Sequence, residues 1–322
     1  MKLKYLVTIA AGLAMSFGAH AADPWPTKPI TFIVPFPAGG GTDAFARPLA
    51  AQLTKQLGHQ IIIDNRGGAG GTLGAGIASR ANPDGYTFFI GGAHHAIAPS
   101  VYPKLDYNIQ KDFVPITVIA MPPQVIAVNP DKVQAKDLKS LVEHLKKNPG
   151  SMNYASAGNG TSHHLAGELF KIQTGTEITH IPYRGAGPAL QDLIAGQVDM
   201  MFDGLGSSAS HIKGGRVKAL AVASDERAPG FPDVPTAAEA GVPGYKVSTW
   251  YAMFAPKSTP PEIVKRMGEE VQKALASPEI KKAWHSSGSE VPKMTQAEFS
   301  KMLDTEVERW GKVAKQSGAK LD

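Results

Sequence analysis

Short apolar, β-branched runs recur along the chain, each followed by a glycine-rich turn and then by residues whose apolar positions repeat with helical spacing. Ile30-Thr31-Phe32-Ile33-Val34 is the first such strand. After the turn Pro35–Gly41, the residues Phe45, Leu49, Leu53 and Leu57 form the apolar stripe of a helix over Asp43–Leu57, closed by Gly58. The pattern continues with a strand at Gln60–Asp64, a glycine turn over Gly67–Gly71, a short helix from Thr72 and a third strand at Tyr86–Ile90. Phe113–Ile119 and Gln124–Asn129 read as longer strands parted at Pro122-Pro123.

A second series then begins. It predicts helix Ala135–Lys147, strand Met152–Ala155, helix Ser162–Thr174, strand Ile178–Ile181, helix Ala186–Ala195 and strand Met200–Asp203. Strands at Val217–Ala223 and Thr249–Ala255 follow, and amphipathic helices at Pro260–Ala276 and Gln296–Ser317 close the chain. Strands alternating with helices at this spacing predict parallel α/β sheets covered on both faces. Two series predict two domains: 22–123 with 248–322 as a discontinuous first domain, and 124–247 as the second. Two crossings between similar halves imply a cleft with a hinge.

Composition narrows the function. The 322 residues are 43% hydrophobic and 19% charged, enough for a real core, and the 34 Gly and 25 Pro carry no period. The absence of Cys excludes disulfide scaffolds, thiol nucleophiles and thiolate metal sites. A formal charge of +5 without a Lys/Arg run argues against a nucleic-acid partner. Lys2 and Lys4, the apolar stretch Leu6–Phe17 and Ala19-His20-Ala21 match the three parts of a secretory signal peptide. Cleavage is expected after Ala21, giving a soluble periplasmic protein; loss of the two leader lysines lowers the charge to +3. A buried N-terminal helix is the alternative reading of that segment.

The candidate chemistry sits at two strand–glycine–helix junctions, Pro35–Asp43 and Asn153–Ser162. Such a turn presents unpaired N–H groups and the positive end of a helix, which together attract an anion. Taken alone, one such loop also reads as a plain strand-to-helix turn, but two of them, one per half, point to a ligand. Candidate ligand contacts are Phe36, Ala38, Gly39, Gly40, Thr42 and Asp43 in the first, and Ser156, Gly158, Gly160, Thr161, Ser162 and His163 in the second. His163 also reads as an exposed first-turn residue. His94 and His95 follow a strand end, where one could face the cleft. Arg184 could pair a carboxylate bidentately or simply flank a helix cap. Asp203, ending a strand, could hold water or a ligand donor, or cap the turn Gly204–Gly206. Adjacent histidines point apart, so neither pair chelates a metal, and no cofactor is expected. Neither loop is a P-loop, and the run Gly68–Gly74 is one residue too long for a dinucleotide fingerprint.

Taken together, Ile33–Asp43, Asn65–Gly71, Pro83–Thr87, Lys111–Phe113, Tyr154–Gly158 and Pro182–Ala189 resemble the Bug receptors, the periplasmic solute-binding proteins of tripartite tricarboxylate transporters. The resemblance covers essentially the whole mature chain. It implies a two-domain Venus flytrap closing on a small carboxylate, gripped by the loops Phe36–Asp43 and Ser156–Ser162, and a monomer that delivers it to membrane permease subunits. The family pattern often has Pro where Gly67 stands, and the His94-His95 pair is not part of it. His94, His95 and Phe36 would suit an aromatic acid such as terephthalate. The competing readings are an exported serine hydrolase using Ser156 and a sensor that presents its ligand to a signalling partner. Gly40→Asp and Gly160→Asp are both expected to abolish binding with the fold intact.

Overall fold

The computed structural model describes residues 25–247 and 249–317; the leader, its cleavage point after Ala21 and the crossing residue Ser248 lie outside them. Among the described residues the strands form two five-stranded sheets. The first takes β1 (Ile30–Val34), β2 (Ile61–Asn65), β3 (Thr87–Gly92), β4 (Phe113–Ala120) and β10 (Tyr251–Pro256), in the order β2-β1-β3-β10-β4. The second takes β5 (Gln124–Val128), β6 (Asn153–Ser156), β7 (Thr179–Pro182), β8 (Met200–Gly204) and β9 (Lys218–Val222), ordered β7-β6-β8-β5-β9.

The expectation of parallel sheets holds only in part. β1 pairs in parallel with β2 and β3, and β6 with β7 and β8. But β10 is antiparallel to both β3 and β4, and β5 is antiparallel to β8 and β9. A helical crossover returns the next strand in the same direction. β5 and β10 enter directly from the other lobe, so nothing holds them to that sense.

The helices are α1 (Gly41–Leu57), α2 (Thr72–Ser79), α3 (Ala93–Val101), α4 (Leu138–Lys147) and α5 (Ser162–Thr174). After them come α6 (Ala186–Ile194), α7 (Leu205–Lys213), α8 (Pro261–Leu275), α9 (Pro278–Ser286) and α10 (Gln296–Ser317). Their boundaries have local causes. Asp137 caps α4 by accepting from the Ser140 N–H at 2.8 Å, and Leu138, Leu141 and Leu145 bury one face. Thr161 caps α5, and Gly175 ends it in the left-handed region at φ 63°.

Each lobe has its own core. In the first, Trp284 is buried edge-on against Phe45 and donates its indole N–H to the Ile119 carbonyl at 2.6 Å. α10 departs from the expectation that 248–322 returns wholly to the first lobe. Phe299 and Leu303 in its first half pack with Phe89 and Phe254, whereas Trp310 and Ala314 join the core of Leu165, Phe170 and Phe202. α3 does likewise: Ala93 and Ala96 lie in the first-lobe core, and Ile97 and Val101 in the second. Two helices thus straddle the lobes. No helix among the described residues is long and apolar enough to cross a membrane.

Candidate functional site

The carboxyl ends of β1, β6 and β7 lead into glycine turns that open α1, α5 and α6, and these turns meet between the lobes. That is where open α/β sheets place ligands. The turn after β1 is braced from within. Asp43, 4% exposed, accepts from the Gly39 N–H at 3.1 Å and from Arg47 Nε at 2.8 Å through one oxygen, and from Asn65 Nδ2 at 3.1 Å through the other. Asn65 Nδ2 also reaches the Phe36 carbonyl at 2.8 Å. Asp43 therefore shapes the turn, and its carboxylate is committed.

Across the seam the lobes touch, glycine against backbone. A β-carbon on Gly187 would stand 2.6 Å from the Ala38 carbonyl, and one on Gly158 would stand 3.7 Å from the Gly70 Cα. Tyr102 donates its hydroxyl to the Asn159 carbonyl at 3.0 Å. His94 Nδ1, on α3, accepts the Ser162 N–H at 3.1 Å from the start of α5. With such contacts the cleft is closed.

Inside the seam lies a cavity of about 10 Å³ lined by Phe36, Gly40–Thr42, His94, Ala157, His163, Ala186 and Tyr251. That is about the space of one water molecule. The N–H groups of Gly41 and Thr42 have no acceptor within their own helix, as at any helix start. A larger space of about 350 Å³ opens at the mouth, among the turn 68–71, Tyr102, Asn159, Tyr183 and Arg184. Phe36 and Ala157 line both, so the two spaces adjoin.

The predicted residues divide accordingly. Phe36, Gly40, Thr42, His94 and His163 line the inner cavity, and Gly158 and Arg184 line the mouth. Ala38 and Gly39 face Gly187. His95 has a different job from the one the sequence suggested. Its Nδ1 accepts the Gly92 N–H at 3.0 Å and its Nε2 lies 3.3 Å from the Gly71 carbonyl, so neither nitrogen is left for a ligand. Burial pushes its pKa down to about 4.

The second predicted loop is largely satisfied by protein. The N–H groups of Gly158, Gly160, Thr161 and Ser162 go to Ser156 Oγ, His164 Nδ1, the Gly158 carbonyl and His94 Nδ1. The start of α6, Gly185–Gly187, takes a place opposite α1 that the sequence reading gave to α5. Its signal was present: a strand, a glycine turn and a helix, as at the other two junctions. Tyr251, Tyr102 and Tyr183 were not anticipated either, since they arrive from distant segments.

Asp203 lies fully buried behind His163 and accepts from the Ser207 and Ser208 hydroxyls at 2.6 and 2.7 Å. Ser156 does meet a base, His180, whose Nε2 is 2.6 Å from its Oγ. But the Ser156 side chain is fully buried, and the His180 ring is stacked between Tyr154 and His164. Burial, with His164 and Lys171 nearby, lowers the His180 pKa to about 3, which makes a poor general base at neutral pH.

The family model described as "Tripartite tricarboxylate transporter family receptor" matches residues 45–319. The chain is 37% identical over 303 residues to Protein BugT of Bordetella pertussis, covering 94% of this chain and 93% of that one. Among solved structures, an R. palustris protein with adipate is 37% identical, with a TM-score of 0.89 over 92% of this chain and 100% of its own. The periplasmic binding protein BugD is 35% identical, with a TM-score of 0.88 over 92% and 99%.

Proposed function

Since the chain belongs to the receptor family of the tripartite tricarboxylate transporters, as a Bug-type periplasmic solute-binding protein with a two-domain Venus flytrap fold, we propose that it captures a small carboxylate between its lobes and hands it to membrane permease subunits. It acts as a monomer, exported by a leader cleaved after Ala21. The observation that carries this reading is the inner cavity, where the start of α1 meets α6 across the closed seam. One oxygen of a ligand carboxylate enters this water-sized space and takes the N–H groups of Gly41 and Thr42, whose helix end favours negative charge.

The body of the ligand then runs past Phe36 and Ala157 into the mouth, between Tyr102 and Tyr183. Arg184 stands there to pair a second carboxylate. The aromatic walls favour a ring, such as that of terephthalate, although the R. palustris neighbour holds the aliphatic adipate. The sensor reading differs from this one only in the partner that receives the liganded form.

A thermal-shift screen tests both parts, with succinate, adipate, citrate, glutamate, nicotinate, phthalate and terephthalate. At a hundred times its Kd a ligand adds about 2.7 kcal/mol, a shift of a few degrees for a protein this size. The largest shift is expected with terephthalate. A larger shift with adipate would overturn the aromatic preference alone. No shift with any acid, before or after refolding to strip retained ligand, would contradict the carboxylate site itself.

A further inference from the structure

Both ring nitrogens of His163 are buried without a hydrogen-bond partner, although the side chain is only 2% exposed and lines the inner cavity. Its Nδ1 stands 3.7 Å from Oδ1 of Asp203, a second buried atom without a partner. Polar groups so placed are costly unless something completes them. No Lys or Arg is among the described residues lining this cavity. Burial raises the Asp203 pKa above its ordinary value, while His163, Ser207 and Ser208 pull it back. With Asp203 ionised, a carboxylate oxygen entering the cavity would face its charge with one imidazole between them.

The groups around His163 leave it as the residue that can answer that charge. His94, 5.6 Å away ring to ring, uses Nδ1 to accept the Ser162 N–H and so stays neutral with its proton on Nε2. Tyr251 reaches the cavity from β10, and His211 on α7 is near enough to feel the Asp203 charge. Ser207 and Ser208 already donate to the other Asp203 oxygen. The starts of α1 and α6 contribute only partial positive charge.

We propose that His163 takes up one proton from solvent when a carboxylate enters the cavity, so that an imidazolium lies between the ligand and Asp203. Nδ1–H then points to Asp203 Oδ1 and Nε2–H is left for the ligand. The balance is one neutral imidazole, one ligand anion and one solvent proton, with no other group changed. Without ligand, burial holds the His163 pKa below its ordinary value despite the pull of Asp203. A bound anion raises it. Affinity is therefore full below the ligand-free pKa and is lost as pH rises toward the liganded one.

This inference rests on the carboxylate-receptor reading, and calorimetry separates the two. Binding of adipate and terephthalate is measured at about pH 7.5 in buffers of different ionisation enthalpy, where both acids are ionised. Uptake approaching one proton per ligand is expected, with Kd rising up to about tenfold per pH unit above neutrality. His163→Gln and His163→Asn should bind more weakly, without proton uptake and with a flat pH profile. A merely structural role would not change the proton count. Binding to the native protein without proton uptake, or undiminished uptake in both variants, overturns this inference and leaves the receptor reading standing. Absence of binding by every acid in the panel sinks both.

Discussion

Gly187→Val is expected to lower carboxylate affinity about a hundredfold while leaving the ligand-free melting temperature nearly unchanged. A β-carbon at this position would lie 2.6 Å from the Ala38 carbonyl, 3.4 Å from the Gly39 carbonyl carbon and 3.6 Å from the Gly40 nitrogen. All three atoms belong to the turn on the opposite lobe. The new side chain collides only when the lobes meet, so it penalises closure and leaves each lobe's core alone. Overpacking against fixed atoms costs about 1–3 kcal/mol, and backbone yields less readily than a flexible side chain. That penalty comes straight out of binding, because the ligand must then drive a less favourable closure. Gly187→Ala should fall between the native protein and the valine variant. Titration paired with melting of the ligand-free proteins checks this. Native affinity in the valine variant would mean that the seam seen here is not the one a ligand closes.

Gly40→Asp should reduce affinity by more than about a hundredfold with ligand-free stability kept or slightly raised. Gly40 is the N-cap of α1, in extended conformation at φ −85° and ψ 170°, and its β-carbon would meet nothing nearer than the Ala186 Cβ at 3.6 Å. An aspartate there caps the helix with its own carboxylate. It satisfies the Thr42 N–H proposed for the ligand and opposes a second anion in a dry site. Gly160, equivalent to Gly40 in the sequence reading, differs physically. Its φ is +71°, where a side chain strains the backbone, so Gly160→Asp lowers ligand-free stability where Gly40→Asp does not. Melting curves of the two variants should therefore separate, Gly160→Asp lower than Gly40→Asp.

Most elements were legible because their signals are local. The strand Ile30–Val34 and the helix Ser162–Thr174 lie where periodicity and caps put them. Three helices were not read: α3, α7 and α9. α7, Leu-Gly-Ser-Ser-Ala-Ser-His-Ile-Lys, is poor in helix formers, and its buried face includes Ser207 and Ser208, whose hydroxyls bond Asp203. Tertiary hydrogen bonds hold what propensity would leave as a turn. α3 starts without a break from β3 and carries Pro99, so it reads as a strand end followed by loop.

The site shows the same division. Glycine turns mark where chain reversal and helix starts occur, and these were readable. Which N–H groups remain for a ligand depends on distant partners. His94 takes that of Ser162 from 68 residues away, and His164 takes that of Gly160 through a helix turn. Likewise His95 and Asp43 look like site residues in sequence, yet both are absorbed into bracing the turns beside it.

The central claim is that a carboxylate closes the two lobes onto the α1–α6 seam. A chain without cysteine can be spin-labelled at two chosen positions with no background. Leu73→Cys on α2 of the first lobe and Gln191→Cys on α6 of the second are exposed positions. Adding the acid that gives the largest melting shift should shorten and narrow the distance distribution between the labels. An unchanged distribution under saturating ligand would contradict closure on this seam.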